Sequence, residues 1–124
     1  MFKIDSDTKQ ISLTRGDAVA IDVTATNESN EDYVFYVNDI VRFNVIKKKD
    51  CNCIILSKEV KVEEETTIVK INLTSQETKL GDVINRPVEY WYEIEVIRNG
   101  ACSTILGYDE NGAKIFKLFP EGGA

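Results

Sequence analysis

Residues 88–108 carry two runs of alternating polarity joined by Asn99-Gly100, and this feature restricts the fold more than any other. Val88, Tyr90, Tyr92, Ile94 and Val96 alternate with Glu89, Trp91, Glu93 and Glu95, the period of two of a strand that buries one face. Asn-Gly supplies the two residues tolerant of positive φ that a type I′ turn requires. A two-residue loop sets Arg98 opposite Ala101 and continues the ladder as Val96 with Ser103, Ile94 with Ile105 and Tyr92 with Gly107. On the other face it sets Ile97 beside Cys102, Glu95 beside Thr104, Glu93 beside Leu106 and Trp91 beside Tyr108. That second face is half charged and half apolar.

Strand patterns fill most of what remains. Residues 10–14 read as a short strand, and after Arg15-Gly16-Asp17 the run 18–26 alternates with Val19, Ile21, Val23 and Ala25 on one side. A compact aromatic segment spans 33–37. Residues 40–47 turn Val41, Phe43 and Val45 inward, 53–60 form a further strand, and 66–73 alternate with Val69, Ile71 and Leu73 inward. Residues 74–80 are the one helical candidate, because Thr74 and Glu77 stand at capping-box spacing. Pro87 opens the long strand, a position where its missing N–H does no harm. Strands at intervals of about ten residues predict an all-β fold, an immunoglobulin-like antiparallel β-sandwich of about 7–8 strands with one short helical turn. The chain of 124 residues reads as one domain, 1–124, with 121–124 as a flexible tail.

A net charge of −6 opposes nucleic acid or an anionic membrane as partner, since both reward clustered Lys and Arg. Lys47-Lys48-Lys49 is short and reads as a solvated strand end. No charged-then-apolar leader and no long apolar run occurs, so neither a secretion signal nor a membrane span is expected. Cys51, Cys53 and Cys102 have no metal-like spacing and no histidine accompanies them, which predicts free thiols in a reducing compartment and no metal or cofactor.

Without histidine, catalysis would fall to carboxylates, Lys, Tyr or Cys. Glu89, Glu93 and Glu95 lie where a solvated strand face places charge. Asp109-Glu110-Asn111-Gly112 is a fragment of a calcium loop without its spaced ligands and reads as a hairpin loop. Arg15-Gly16-Asp17 matches an integrin-read tripeptide, yet Gly16 and Asp17 fit a tight turn between strands. Cys102 has an apolar cross-strand neighbour and nothing to activate it. The chain is therefore expected not to be an enzyme. What remains is the stripe of Trp91, Ile97, Cys102, Leu106 and Tyr108. Such a patch marks a partner contact, unless residues 33–37 or 116–120 cover it from within.

Ile11 to Asp17 running into 18–24, then DIVRFNVIK at 39–47, Glu77-Thr78, and Tyr90-Trp91-Tyr92-Glu93-Ile94 resemble small β-sandwich domains of tailed-phage and prophage structural proteins. The chain is most similar to the amino-terminal domain of baseplate upper proteins of phages infecting Gram-positive bacteria. This resemblance covers most of the chain and implies a non-enzymatic building block of a virion, assembled in the bacterial cytoplasm, that forms homo-oligomers or binds other virion proteins. Trp91, Ile97, Leu106 and Tyr108 are the expected contact residues. The alternative is a carbohydrate-binding module that uses the same aromatic face on a glycan. A soluble enzyme ranks behind both.

Overall fold

A computed structural model describes residues 2–26, 29–47, 53–81, 84–107 and 114–121. Among these residues the chain forms nine strands and no helix: β1 (Phe2–Ile4), β2 (Ile11–Thr14), β3 (Val19–Val23), β4 (Ile40–Ile46), β5 (Ile54–Lys61), β6 (Val69–Leu73), β7 (Val88–Arg98), β8 (Ala101–Leu106) and β9 (Lys114–Phe119). Seven strands make one sheet in the order β1-β2-β9-β7-β4-β5, with β8 also on β7, while β3 and β6 make a second, two-stranded sheet. The large sheet is mixed, because β2 and β9 run parallel. This corrects the purely antiparallel expectation. The parallel pair joins segments about a hundred residues apart, which no local turn signal can announce.

β7 is the longest strand and the hub. Its alternation holds along its length: Tyr90, Tyr92, Ile94 and Val96 are buried and the residues between them are not. On one edge it pairs with β4 from Trp91 to Ile97. The other edge is divided, with Val88 to Tyr92 on β9 and Ile94 to Arg98 on β8. Asn99 and Gly100 turn the chain with φ of 52° and 82°, as the hairpin reading expects. Phe43 sits between Tyr92 and Phe116, with ring centroids 5.5 and 6.0 Å away. Ile21, Val23, Val69, Ile71 and Leu73 of the small sheet join the same core, together with Phe35, which is wholly buried. Residues 33–37 and 116–120 thus contribute to the core through Phe35, Phe116 and Leu118.

The helical turn expected at 74–80 is absent. Both capping-box bonds exist, Thr74 N–H to Glu77 Oε1 at 2.9 Å and Glu77 N–H to Thr74 Oγ1 at 3.2 Å. The helix stops after that turn because tertiary contacts claim the next residues. Thr78 Oγ1 accepts from Gly16 N–H and donates to Asp17 O, Leu80 buries in the core, and Gly81 takes a φ of 67°. A nucleus of one turn is not repaid by propagation.

Two polar contacts pin the middle and the C-terminal end of β7. The Tyr92 hydroxyl donates to Lys9 O and holds the β1–β2 turn, and burial pushes its acidity constant upward. Arg98 Nε and Nη2 reach Asp39 at 2.7–3.1 Å, Nη2 also donates to Val34 O at 3.1 Å, and the guanidinium lies 4.9 Å from the Tyr36 ring centroid. Arg98, and then the Tyr36 N–H, hold Asp39 below the ordinary carboxylate range against the opposing effect of burial. Because the folded value is depressed, the stabilisation is complete above the ordinary carboxylate value and is lost as pH falls through the lower folded value. Asp39→Asn is expected to cost about 2–3 kcal/mol at pH 7, since it leaves Arg98 without its charged partner. Urea unfolding at pH 7 and again near pH 3 checks this, the variant's deficit shrinking in acid.

Candidate functional site

The outward face of the large sheet carries the residues singled out from the sequence, in a different grouping. Ile46 of β4 and Ile115 of β9 stand directly opposite Trp91, and Ile54 of β5 stands opposite Ile46. Four strands therefore place Ile54, Ile46, Trp91 and Ile115 in one row across the sheet. Ile46, Trp91 and Ile115 are half-buried, and Ile54 is 51% exposed.

The next two rows are polar and tightly bonded. Asn44 is only 1% exposed although it faces outward, because Glu93, Glu95 and Ser57 close over it. Its Nδ2 donates to Glu93 Oε1 at 3.2 Å and Glu95 Oε1 at 2.9 Å, and its Oδ1 accepts from Ser57 Oγ at 2.7 Å. Arg42 lies between Glu59 at 3.3 Å and Glu95 at 3.5 Å. These carboxylates are spent on Asn44 and Arg42, so the face holds charge in a fixed lattice.

Ile97 faces outward as expected, between Ile40 and Cys102, and is half-buried. It stands six residue steps along the strand from Trp91, about 20 Å at the usual rise, with the polar rows between them. Leu106 is not on this face. The hairpin follows the two-residue-loop register from Arg98/Ala101 to Glu95/Thr104, then a β-bulge sets Ile94 opposite Leu106. Leu106 and Ile105 consequently both pack against the core. Gly107 takes the outer place, where a Cβ would come within 2.9 Å of Thr104 Cγ2 and 3.4 Å of Glu93 Cβ. An unbroken ladder would have stood Leu106 in that narrow space. Tyr108 lies outside the described residues, as do Cys51 and the loop at 109–112.

Cys102 is exposed and its thiol is free, donating to Glu95 Oε2 at 3.0 Å. That bond, then desolvation and the nearby carboxylate charge, raise its acidity constant, with Arg42 offsetting a part. A thiol held in its protonated form is a poor nucleophile. Cys53, expected as a free thiol, is disulfide-bonded. The compartment rule behind that expectation describes where disulfides persist and is silent on whether a given pair of cysteines is close enough to bond.

Arg15-Gly16-Asp17 is built into the scaffold. Arg15 is 8% exposed, bonding Gly81 O at 2.9 Å, Leu80 O at 3.3 Å and Glu121 Oε1 at 2.9 Å, while Gly16 holds a φ of 90°. The arginine that an adhesive motif must offer is turned inward. Among the described residues no group of three His, Cys, Asp or Glu side chains could hold a metal ion, and no helix is long and apolar enough to cross a membrane.

Ile46, Ile54 and Ile115 escaped the sequence reading. Local alternation shows Ile46 and Ile115 as outward, whereas Ile54 shares the parity of the core-packed Leu56 and comes opposite Ile46 only through a register shift; that all three align with Trp91 depends on pairings between distant segments. No family model, curated protein or solved structure matches the chain.

Glu95→Gln removes the carboxylate that holds the Cys102 proton. Its alkylation by iodoacetamide at pH 8, followed on the Cys102 peptide by mass spectrometry, is expected to quicken roughly two- to five-fold as the thiolate fraction rises. An unchanged rate would show that Glu95 does not control the thiol.

Proposed function

We propose that this chain is a non-enzymatic structural or adaptor module, an immunoglobulin-like β-sandwich in which the small sheet covers the inner face of the large one, leaving the outer face to dock on protein. The observation that carries this reading is the row Ile54, Ile46, Trp91 and Ile115. It lies on four hydrogen-bonded strands and spans about 15 Å at the usual strand spacing. Side chains held on a paired sheet lose little freedom on docking, which suits a rigid, repeated contact. Tryptophan at the middle of an apolar patch with a polar border matches the composition of protein interfaces.

The phage and prophage resemblance supports placing the module in a virion, assembled in the bacterial cytoplasm, with a second copy or another virion protein as the partner. A glycan is the second reading, favoured by Glu93 standing beside Trp91 on the same face. Against it, the lateral neighbours of Trp91 are isoleucines, and a sugar ring stacked on the indole needs hydrogen-bonding groups at its edge.

Light scattering after size exclusion, over at least a tenfold concentration range and with reducing agent, tests the reading. A stable oligomer is expected, falling to the monomer mass in Trp91→Ser while the melting temperature stays within a few degrees. A monomer throughout, unaffected by Trp91→Ser, counts against self-association. Glycan-array binding that vanishes in Trp91→Ala would replace the protein reading by the sugar one.

A further inference from the structure

The inner face has a gap. A seven-stranded sheet faces a second layer of two strands, and the part nearest β3 is left open as a cleft of about 590 Å³. Its floor is Ile11, Tyr92 and Ile94, and its far wall is Ile4, Ile105 and Leu106. The near wall consists of residues 21–26 in unbroken succession. Successive side chains of a strand point to opposite faces, so Ile21, Asp22 and Val23 of β3 can line one space together only by presenting the strand's edge; beyond β3, Ala25 O already accepts from Tyr33 N–H and Thr26 bridges Asp32. β3 pairs with β6 alone among the described strands, so the edge turned to the cleft carries main-chain donors and acceptors that no strand takes up.

An apolar small molecule would fill the floor and leave that edge unanswered. An extended peptide answers both, with its backbone on β3 and alternate side chains on the floor. The charges at the mouth select its outward residues. Asp22 meets Lys70 only loosely, at 3.9 Å with both side chains mostly in solvent, and Asp32 lies exposed on the same side. Lys9 is the cation on the opposite lip. We propose that this cleft binds an extended peptide strand from another polypeptide, alternating apolar and basic residues, which adds to β3 as a third strand of the small sheet. The site is separate from the outer-face row and does not depend on its role.

The probe is the end-capped peptide KVTVKVTVK, with the same residues in blocks (KKKVVVVTT) as control, titrated against the whole chain by fluorescence anisotropy. Saturable binding of the alternating peptide, at least tenfold tighter than the block peptide, is expected. Hydrogen exchange at the amides of residues 20–24 should slow in the complex. Asp22→Lys with Asp32→Lys, both on exposed side chains, should weaken binding at least tenfold with an unchanged melting temperature. No saturation at millimolar peptide overturns the proposal. So does binding that leaves exchange at 20–24 unaltered, that ignores the charge reversal, or that the block peptide matches.

Discussion

The double pairing of β7 is the constraint on which the other contacts rest. Bonded to β4 along one edge and to β9 and β8 in succession along the other, the strand has no freedom to slide. A shift of one residue would carry Glu93 and Glu95 into the core and bring Tyr92 and Ile94 out to water. Since desolvating two carboxylates is far costlier than any ladder bond gained, one register is selected by a wide margin. That register sets Tyr92 opposite Val45 and diagonal to Phe43, and Tyr90 level with Phe116, so the aromatic cluster follows from the inward faces of the paired strands. Arg98 then fastens the strand's end to Asp39, and Tyr92 fastens its middle to the β1–β2 turn.

How far the sequence reveals this depends on the range of each interaction. The Asn99-Gly100 turn, the inward sets on β3, β4 and β6, and the inward face of β7 are all local patterns and appear as read. β1 is only three residues long and shows no period, and the parallel β2–β9 pair depends on chain closure across the whole domain. The turn at 74–80 carries a correct local signal that tertiary contacts at Thr78 and Leu80 overrule. The hairpin bulge is a further kind of failure. The ladder is legible to Glu95/Thr104, and the step beyond it is decided by the space available beside Glu93 and Thr104, which only packing reveals.

The same distinction governs the candidate site. Trp91 and Ile97 were legible as outward apolar residues because each stands on one strand with a clear period. Their neighbours were not. A row that crosses four strands draws its members from residues 46, 54, 91 and 115, and nothing short-range ties these positions together. The strand period predicts solvated charge for Glu93 and Glu95, between Trp91 and Ile97. In the fold they close over Asn44 and divide the outer face into an apolar band and a polar lattice. On the docking reading proposed above, such a division suits a partner with a straight apolar ridge laid across the strands.

Adjacent residues of one strand serve the two surfaces proposed here. Trp91 points outward to the row, and Tyr92, the next residue, forms part of the cleft floor on the inner side. Because β7 is held on both edges, occupation of one surface would change the other only by disturbing a ladder that its neighbours fix. The two contacts should therefore be energetically independent, as contacts on opposite sides of a rigid element without shared side chains usually are. On the adaptor reading proposed above, such independence would let a protein neighbour hold the outer face while a strand from a second polypeptide occupies the edge of β3. That second contact does not require exposing the central core, since Val41, Phe43, Val45 and Phe116 are fully buried with the cleft open.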